Sequence, residues 1–257
     1  MLRAVVVSVV VALFASCAGA VPATSPSATG DAPAGRLTVL AASSLTDAFK
    51  KAASDFRTAN PSVDLTFAFG SSSTLATQIT NGAPADVFAS ADETNMQKVA
   101  DAKLVDEDAT VFASNRLEIA VAPDNPKQIH GLADLARPGT IVVLAAPAVP
   151  AGRYAREALA KAHVTLAPAS EEVDVRAVLN KVALGEADAG IVYVTDVLSA
   201  SGKVTGVEIP GGQQIVARYP IAVLKETRNL SAARAFVAYL VSERGQALLA
   251  EFGFSRP

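Results

Sequence analysis

The 257-residue chain has no tryptophan, one cysteine and two histidines, and its formal net charge is −3. Each scarcity removes a class of function. A single cysteine cannot supply the cysteine-rich spacings of a classical zinc site. Without a basic excess, or any dense Lys/Arg run, the chain lacks the electrostatic footprint of a nucleic-acid binder. Aromatic residues make up 5%, so the core must be built mainly from Ala, Val, Leu and Ile, which suits α/β layers. Neither histidine is placed as a base by a motif: His130 sits in the loop "KQIHGL", and His163 ends a helical stretch, where it suits the helix dipole. A nucleophile elbow needs G-x-S-x-G, but after Gly70, Ser71, Ser72 and Ser73 the last glycine is replaced by Thr74. Gly202-Lys203-Val204 fails the end of a P-loop, which requires Ser or Thr after the lysine.

What is present begins at the N-terminus. "MLR" is a short basic start, and Ala4 to Phe14 is an apolar run of eleven residues. A membrane span takes about 20 such residues, so the run reads as a secretory signal. Ala15 and Ser16 lead into Cys17, the only cysteine. Residues 1–16 are therefore expected to be a lipoprotein signal peptide, cleaved before a lipidated Cys17. With Arg3 removed, 21 basic residues stand against 25 acidic ones, a net charge of −4. Residues 17–35, rich in Ala, Pro, Ser, Thr and Gly, cannot bury a core and read as a flexible tether.

From Arg36 the pattern alternates between strand and helix. "RLTVLAAS" is a short apolar strand, followed by a helical stretch in which Leu45, Ala48, Phe49, Ala52, Ala53 and Phe56 recur at helical spacing until Pro61. Ser44 stands where an N-cap belongs, with Asp47 three residues later. "VDLTFAFG", "STLATQITNG", "ADVFASAD" and "ETNMQKVADAKLV" continue as strand, helix, strand, helix. A second block starts with a fresh strand at Arg116. It predicts a helix across "EEVDVRAVLNKVALGEA" and one long amphipathic helix over "SAARAFVAYLVSERGQALLAEFGF". The pattern predicts a mainly parallel sheet with helices on both faces, arranged as two α/β lobes with a cleft between them.

Three turns share one feature. "AASSLT", "FGSSSTL" and "VPAGRYA" each place small residues at the start of a helix. There the first backbone N–H groups lack internal partners and the helix dipole is positive. Small residues let an anion approach the backbone, and serine adds a hydroxyl donor. Almost no lysine or arginine lies in these turns. Neutral donors can hold a fully ionised oxyanion in a dry cleft, whereas a protonated phosphate needs an acceptor in the site. Ordinary helix capping explains most such serines taken singly.

The segments "AASSLTDAF", "SSSTLATQI", "GAPADVFASAD", "VPAGRYAREAL", "VDVRAVL", "GIVYVTD" and the terminal "FGF" occur in the order found in a known family. From about Leu37 onward the chain resembles the substrate-binding proteins of molybdate ABC importers. The resemblance implies a type II periplasmic-binding-protein fold: lobe 1 from 36–114 plus 224–257, and lobe 2, with the crossing strands, from 115–223. It also implies an oxyanion site of Ser44 and Ser72 through hydroxyl and amide, Ala151 and Val175 through backbone N–H, and Tyr193 through its phenol. Arg153 and Arg176 flank these motifs and could balance charge or join the lobes. Glu171, Glu172 and Asp174 could cap a helix, or serve an octahedral carboxylate site such as some relatives use.

The implied protein is a monomeric receptor, not an enzyme. It has no cofactor, no catalytic residues and no metal contact except through the oxygens of its ligand, molybdate or tungstate. It would be lipid-anchored outside the cytoplasmic membrane and hand its cargo to a permease with a cytoplasmic ATPase. Hinge motion would occur near Asn115–Ala120 and Arg218–Val223. Competing readings are a receptor for sulfate or phosphate, an exported serine hydrolase using Ser72, and a sensor domain without transport.

Overall fold

The structure, a computed structural model, describes residues 33–257. The leader, Cys17 and the tether as far as residue 32 lie outside the described residues. Among those described, no helix is long and apolar enough to cross a membrane.

Three strands begin the fold: β1 (Gly35–Ala42), β2 (Val63–Gly70) and β3 (Val87–Ala89). β1 lies in parallel between β2 and β3. Between them run α1 (Thr46–Ala59) and α2 (Ser72–Thr80), with α3 (Glu93–Asp101) after β3. A second group holds β5 (Val142–Ala145), β6 (Ser170–Glu172) and β7 (Ala189–Tyr193), with β5 in parallel between β6 and β7. Here the helices are α4 (Pro150–Lys161), α5 (Val175–Ala183) and α6 (Val194–Ser199), and β8 (Thr205–Glu208) pairs at the side.

Two long strands join the groups. β4 (Thr110–Val121) pairs through its first half with β9 (Val216–Val223) and through its second half with β7 and β8. The strand order is β2-β1-β3-β9-β4-β7-β5-β6. Pro220 has no N–H to donate, and it sits in β9 where the register slips between Val111 and Ala113. A bulge is one of the few places a sheet accepts proline.

Several expectations need correction. The sheet is not mainly parallel: four of its eight pairings are antiparallel, all through β4 and β9. β4 starts at Thr110, not Arg116. The helix expected over 171–187 starts at Val175, because Ser170–Glu172 pairs with β5 as an edge strand. The terminal helix is two, α7 (Leu230–Val241) and α8 (Glu243–Glu251), broken where the Ser242 hydroxyl accepts from Gly245 N–H at 3.2 Å.

The first group is closed by α7 and α8, which return to cover α1. Phe236 on α7 is fully buried. Its ring meets Phe49 edge-on at 5.9 Å and Phe56 at 5.4 Å. Truncating such a ring leaves a cavity that close packing cannot refill. Phe236→Ala is expected to lower unfolding free energy by about 3–5 kcal/mol in urea denaturation.

Candidate functional site

The parallel strands of both groups point their carboxyl ends at one place. There a small cavity is lined by Ala42–Ser44, Gly70–Ser72, Ala91, Val149–Ala151, Val175 and Tyr193. It is far below the roughly 300–1,000 Å³ of sites for drug-sized molecules, so the cavity suits at most a small ion. Ser44, Ser72, Ala151, Val175 and Tyr193 all line it. Among the described residues, no acidic or basic side chain does.

The serine run sorts itself by hydrogen bonding. Ser71 caps α2: its hydroxyl accepts from Thr74 N–H at 3.2 Å and donates to Thr74 Oγ1 at 2.8 Å. Ser73 stays within 3.1 Å of Ser71 on the same turn. Ser72 is buried, and its Oγ accepts from Ala91 N–H at 2.9 Å. That bond occupies a lone pair and leaves the Ser72 proton free to donate.

Ser44 does not cap α1, contrary to expectation. It lies in a 3-10 turn, Ser43–Leu45, and its Oγ is 2.9 Å from the Tyr219 hydroxyl on β9. Asp47 does not cap either; it pairs with Arg176 at 2.9 Å.

α4 and α5 bring backbone donors. Pro150 opens α4, where its missing N–H costs nothing, and Ala151 follows at the second position. The close seating of α4 requires Gly152: a Cβ there would lie 2.1 Å from Ala146 O and 2.3 Å from Ala145 O. On α5, Asp174 caps by accepting from Ala177 N–H at 2.9 Å, leaving Val175 as the first helical residue. First-turn N–H groups have no acceptor inside their own helix, and those of Ala151 and Val175 belong to lining residues.

Tyr193 ends β7 and is buried. Its hydroxyl finds no hydrogen-bond partner among the described residues. Burial holds its pKa well above the ordinary phenol value, so it stays protonated as a donor. A buried polar group without a partner costs about 1–3 kcal/mol, and this one borders the cavity.

Charged groups stand one layer back and are matched. Arg153 Nη2 meets the buried Asp92 carboxylate at 2.8 Å. Besides Asp47, Arg176 holds Asp196, at 2.7 Å. Burial raises the Asp196 carboxyl to about 6, and Arg176 opposes the rise. Asp92 and Asp47 belong to the first group of elements, Arg153 and Arg176 to the second, so both arginines tie the groups together beside the cavity. Glu171 pairs with Arg156, and Glu172 with Lys181 at 2.7 Å. Neither glutamate caps a helix, and none of the three acids expected near α5 reaches the cavity lining. His130 and His163 are exposed and outside it; His163 closes α4 in the left-handed region at φ 54°. Ser72 therefore has no histidine base beside it.

Sequence reasoning missed Tyr219 and Asn115. Neither stands in a motif, and they reach the site only because β9 and β4 cross beneath it.

The profile of the bacterial extracellular solute-binding proteins matches residues 37–255. The molybdate-binding protein ModA of Mycobacterium tuberculosis is 45% identical over 251 residues, 97% of this chain and 95% of that protein. Among solved structures, the periplasmic molybdate-binding protein of Azotobacter vinelandii superposes with a TM-score of 0.74 at 21% identity, covering 86% of this chain and 99% of that one. The sulfate-binding protein SubI of M. tuberculosis gives 0.76 at 21% identity, with 86% of each chain covered. The fold is thus shared by proteins named for two different oxyanions.

Gly152→Ala is expected to destabilise the chain by about 1–3 kcal/mol in urea denaturation, as an overpacked contact does. Gly212→Ala, where an added Cβ meets nothing within 4 Å, should stay within about 0.5 kcal/mol of wild type.

Proposed function

The chain belongs to the bacterial extracellular solute-binding proteins, within the family of the molybdate-binding proteins, and we propose that it captures molybdate, and tungstate with it, outside the cytoplasm. The observation that carries this reading is a small cavity with neutral donors and no carboxylate in its lining. Ser44 and Ser72 would donate through hydroxyl and amide, Ala151 and Val175 through backbone N–H, and Tyr193 through its phenol. Such a set suits a dianion that carries no proton. Charge-assisted hydrogen bonds in a water-poor site are stronger than neutral ones in water. No covalent step takes place, and no cofactor takes part.

The lobes in this reading are 36–114 plus 224–257 and 115–223. They close over the anion by bending near Asn115–Ala120 and Arg218–Val223. The pairs Arg153–Asp92 and Arg176–Asp47 form only when the lobes meet. The closed monomer then delivers its cargo to a membrane permease coupled to an ATPase.

Sulfate is the competing cargo, since a donor-only site accepts any proton-free tetrahedral dianion and the fold is shared with a sulfate binder. In this reading, discrimination between the two comes from cavity size. Calorimetric titration of the full chain with molybdate, tungstate, sulfate and phosphate separates the readings. Tight binding of the first two alone is expected; preference for sulfate or phosphate would reassign the cargo. Ser72→Ala should weaken molybdate by about 1.5–3 kcal/mol, the worth of a hydrogen bond to a charged group, or roughly ten- to a hundredfold in Kd.

Cys17 is the anchor in this reading, with the residues between it and β1 as the tether. In the native host the chain should sediment with membranes, and Cys17→Ser should release it. A wild-type chain found only in the soluble extracytoplasmic fraction would contradict the anchor and leave the binding site unaffected.

A further inference from the structure

A serine hydroxyl can donate or accept, so its use in a donor-only site depends on what holds its lone pairs. Ala91 N–H does this for Ser72. For Ser44 the neighbour is the Tyr219 hydroxyl, 2.9 Å away, a contact in which either oxygen could be the donor. The surroundings of Tyr219 decide the direction. Asn115 Oδ1 accepts from Arg116 N–H at 2.9 Å, which fixes the amide so that its nitrogen faces inward. Asn115 Nδ2 donates to Thr195 Oγ1 at 2.9 Å and reaches the Tyr219 oxygen at 3.4 Å. An amide nitrogen only donates, so the Tyr219 oxygen accepts from Asn115 and its proton turns toward Ser44. The Ser44 oxygen then accepts, and its own proton is left for the cavity.

Tyr219 cannot easily swing away. It is fully buried, with its ring between Tyr193 at 6.0 Å and the terminal Phe254 at 5.4 Å, both edge-on. Burial also keeps its hydroxyl protonated, by raising its pKa far above the ordinary value.

We propose that Tyr219, oriented by Asn115, is a positioning residue that fixes the Ser44 hydroxyl as a donor and so tunes the site to oxyanions that carry no proton. The proposal rests on the reading of the cavity as an oxyanion site. With Tyr219 absent, Ser44 can turn either way and can accept from a protonated anion. Phosphate near neutral pH always carries a proton, so it is the discriminating probe.

The test is a double-mutant cycle on the full chain: wild type, Tyr219→Phe, Ser44→Ala and the double variant, each titrated calorimetrically with sodium molybdate and, in competition, sodium phosphate. Tyr219→Phe should weaken molybdate about tenfold when Ser44 is present and less than about twofold when it is alanine. It should also narrow the preference for molybdate over phosphate. A purely structural role would weaken binding equally in both backgrounds, and that result, or no loss in the Ser44 background, overturns the proposal. If the Tyr219→Phe chain does not fold, Asn115→Ala takes its place in the cycle with the same expected dependence on Ser44. A wild-type chain that binds no molybdate overturns the oxyanion reading itself, before any variant is compared, and this proposal with it.

Discussion

An α-helix leaves its first N–H groups without partners, and each must be satisfied by a cap, by water or by a ligand. Here α2, α4 and α5 begin against a single cavity. Their caps are made by residues that leave the cavity-facing donors alone: Ser71 serves Thr74, and Asp174 serves Ala177. Pro150 removes one N–H from the problem at α4. Much of the remaining architecture can be understood as holding these ends in place. The parallel strands aim the turns, Gly152 lets α4 sit against the end of β5, and the crossing of β4 and β9 brings the two groups face to face.

The distribution of charge follows the same constraint. A dianion buried beside arginines would gain attraction, but the arginines would first lose their hydration, at a cost that close pairing must offset. In this chain the two nearest arginines are paired with Asp92, Asp47 and Asp196. The cavity wall is left neutral. In the proposed reading fixed dipoles already point inward, so an arriving anion would need little reorganisation. Two of these pairs, Arg153–Asp92 and Arg176–Asp47, link elements on opposite sides of the cavity, and in the proposed reading they act on closure and not on the ligand shell.

Much of this was legible in the sequence, and the exceptions have physical causes. Ser44, Ser72 and Ala151 announce themselves as small residues before helices. Val175 and Tyr193 look like a core valine and a strand-end aromatic, and only the family resemblance singled them out. Tyr219 contacts Ser44 across 175 residues of chain, a relation that no local pattern encodes. Glu171 and Glu172 of the edge strand Ser170–Glu172 were read as helix because its polar residues lack the alternation of a buried strand. The break at Ser242 was missed because the apolar spacing of α7 and α8 runs on across it. The antiparallel pairings were missed because strand–helix alternation predicts order along the chain and not a crossing of strands 100 residues apart.

In the proposed reading, neutral donors from both lobes, with no carboxylate among them, surround a single anion. A crystal structure of the chain with tungstate tests it most directly, because the metal scatters strongly enough to be placed without ambiguity. One tetrahedral anion is expected, with oxygens about 2.6–3.2 Å, ordinary hydrogen-bond distances, from Ser44, Ser72, Ala151, Val175 and Tyr193. An anion bound elsewhere, or one with an aspartate or glutamate in its coordination shell, would contradict it.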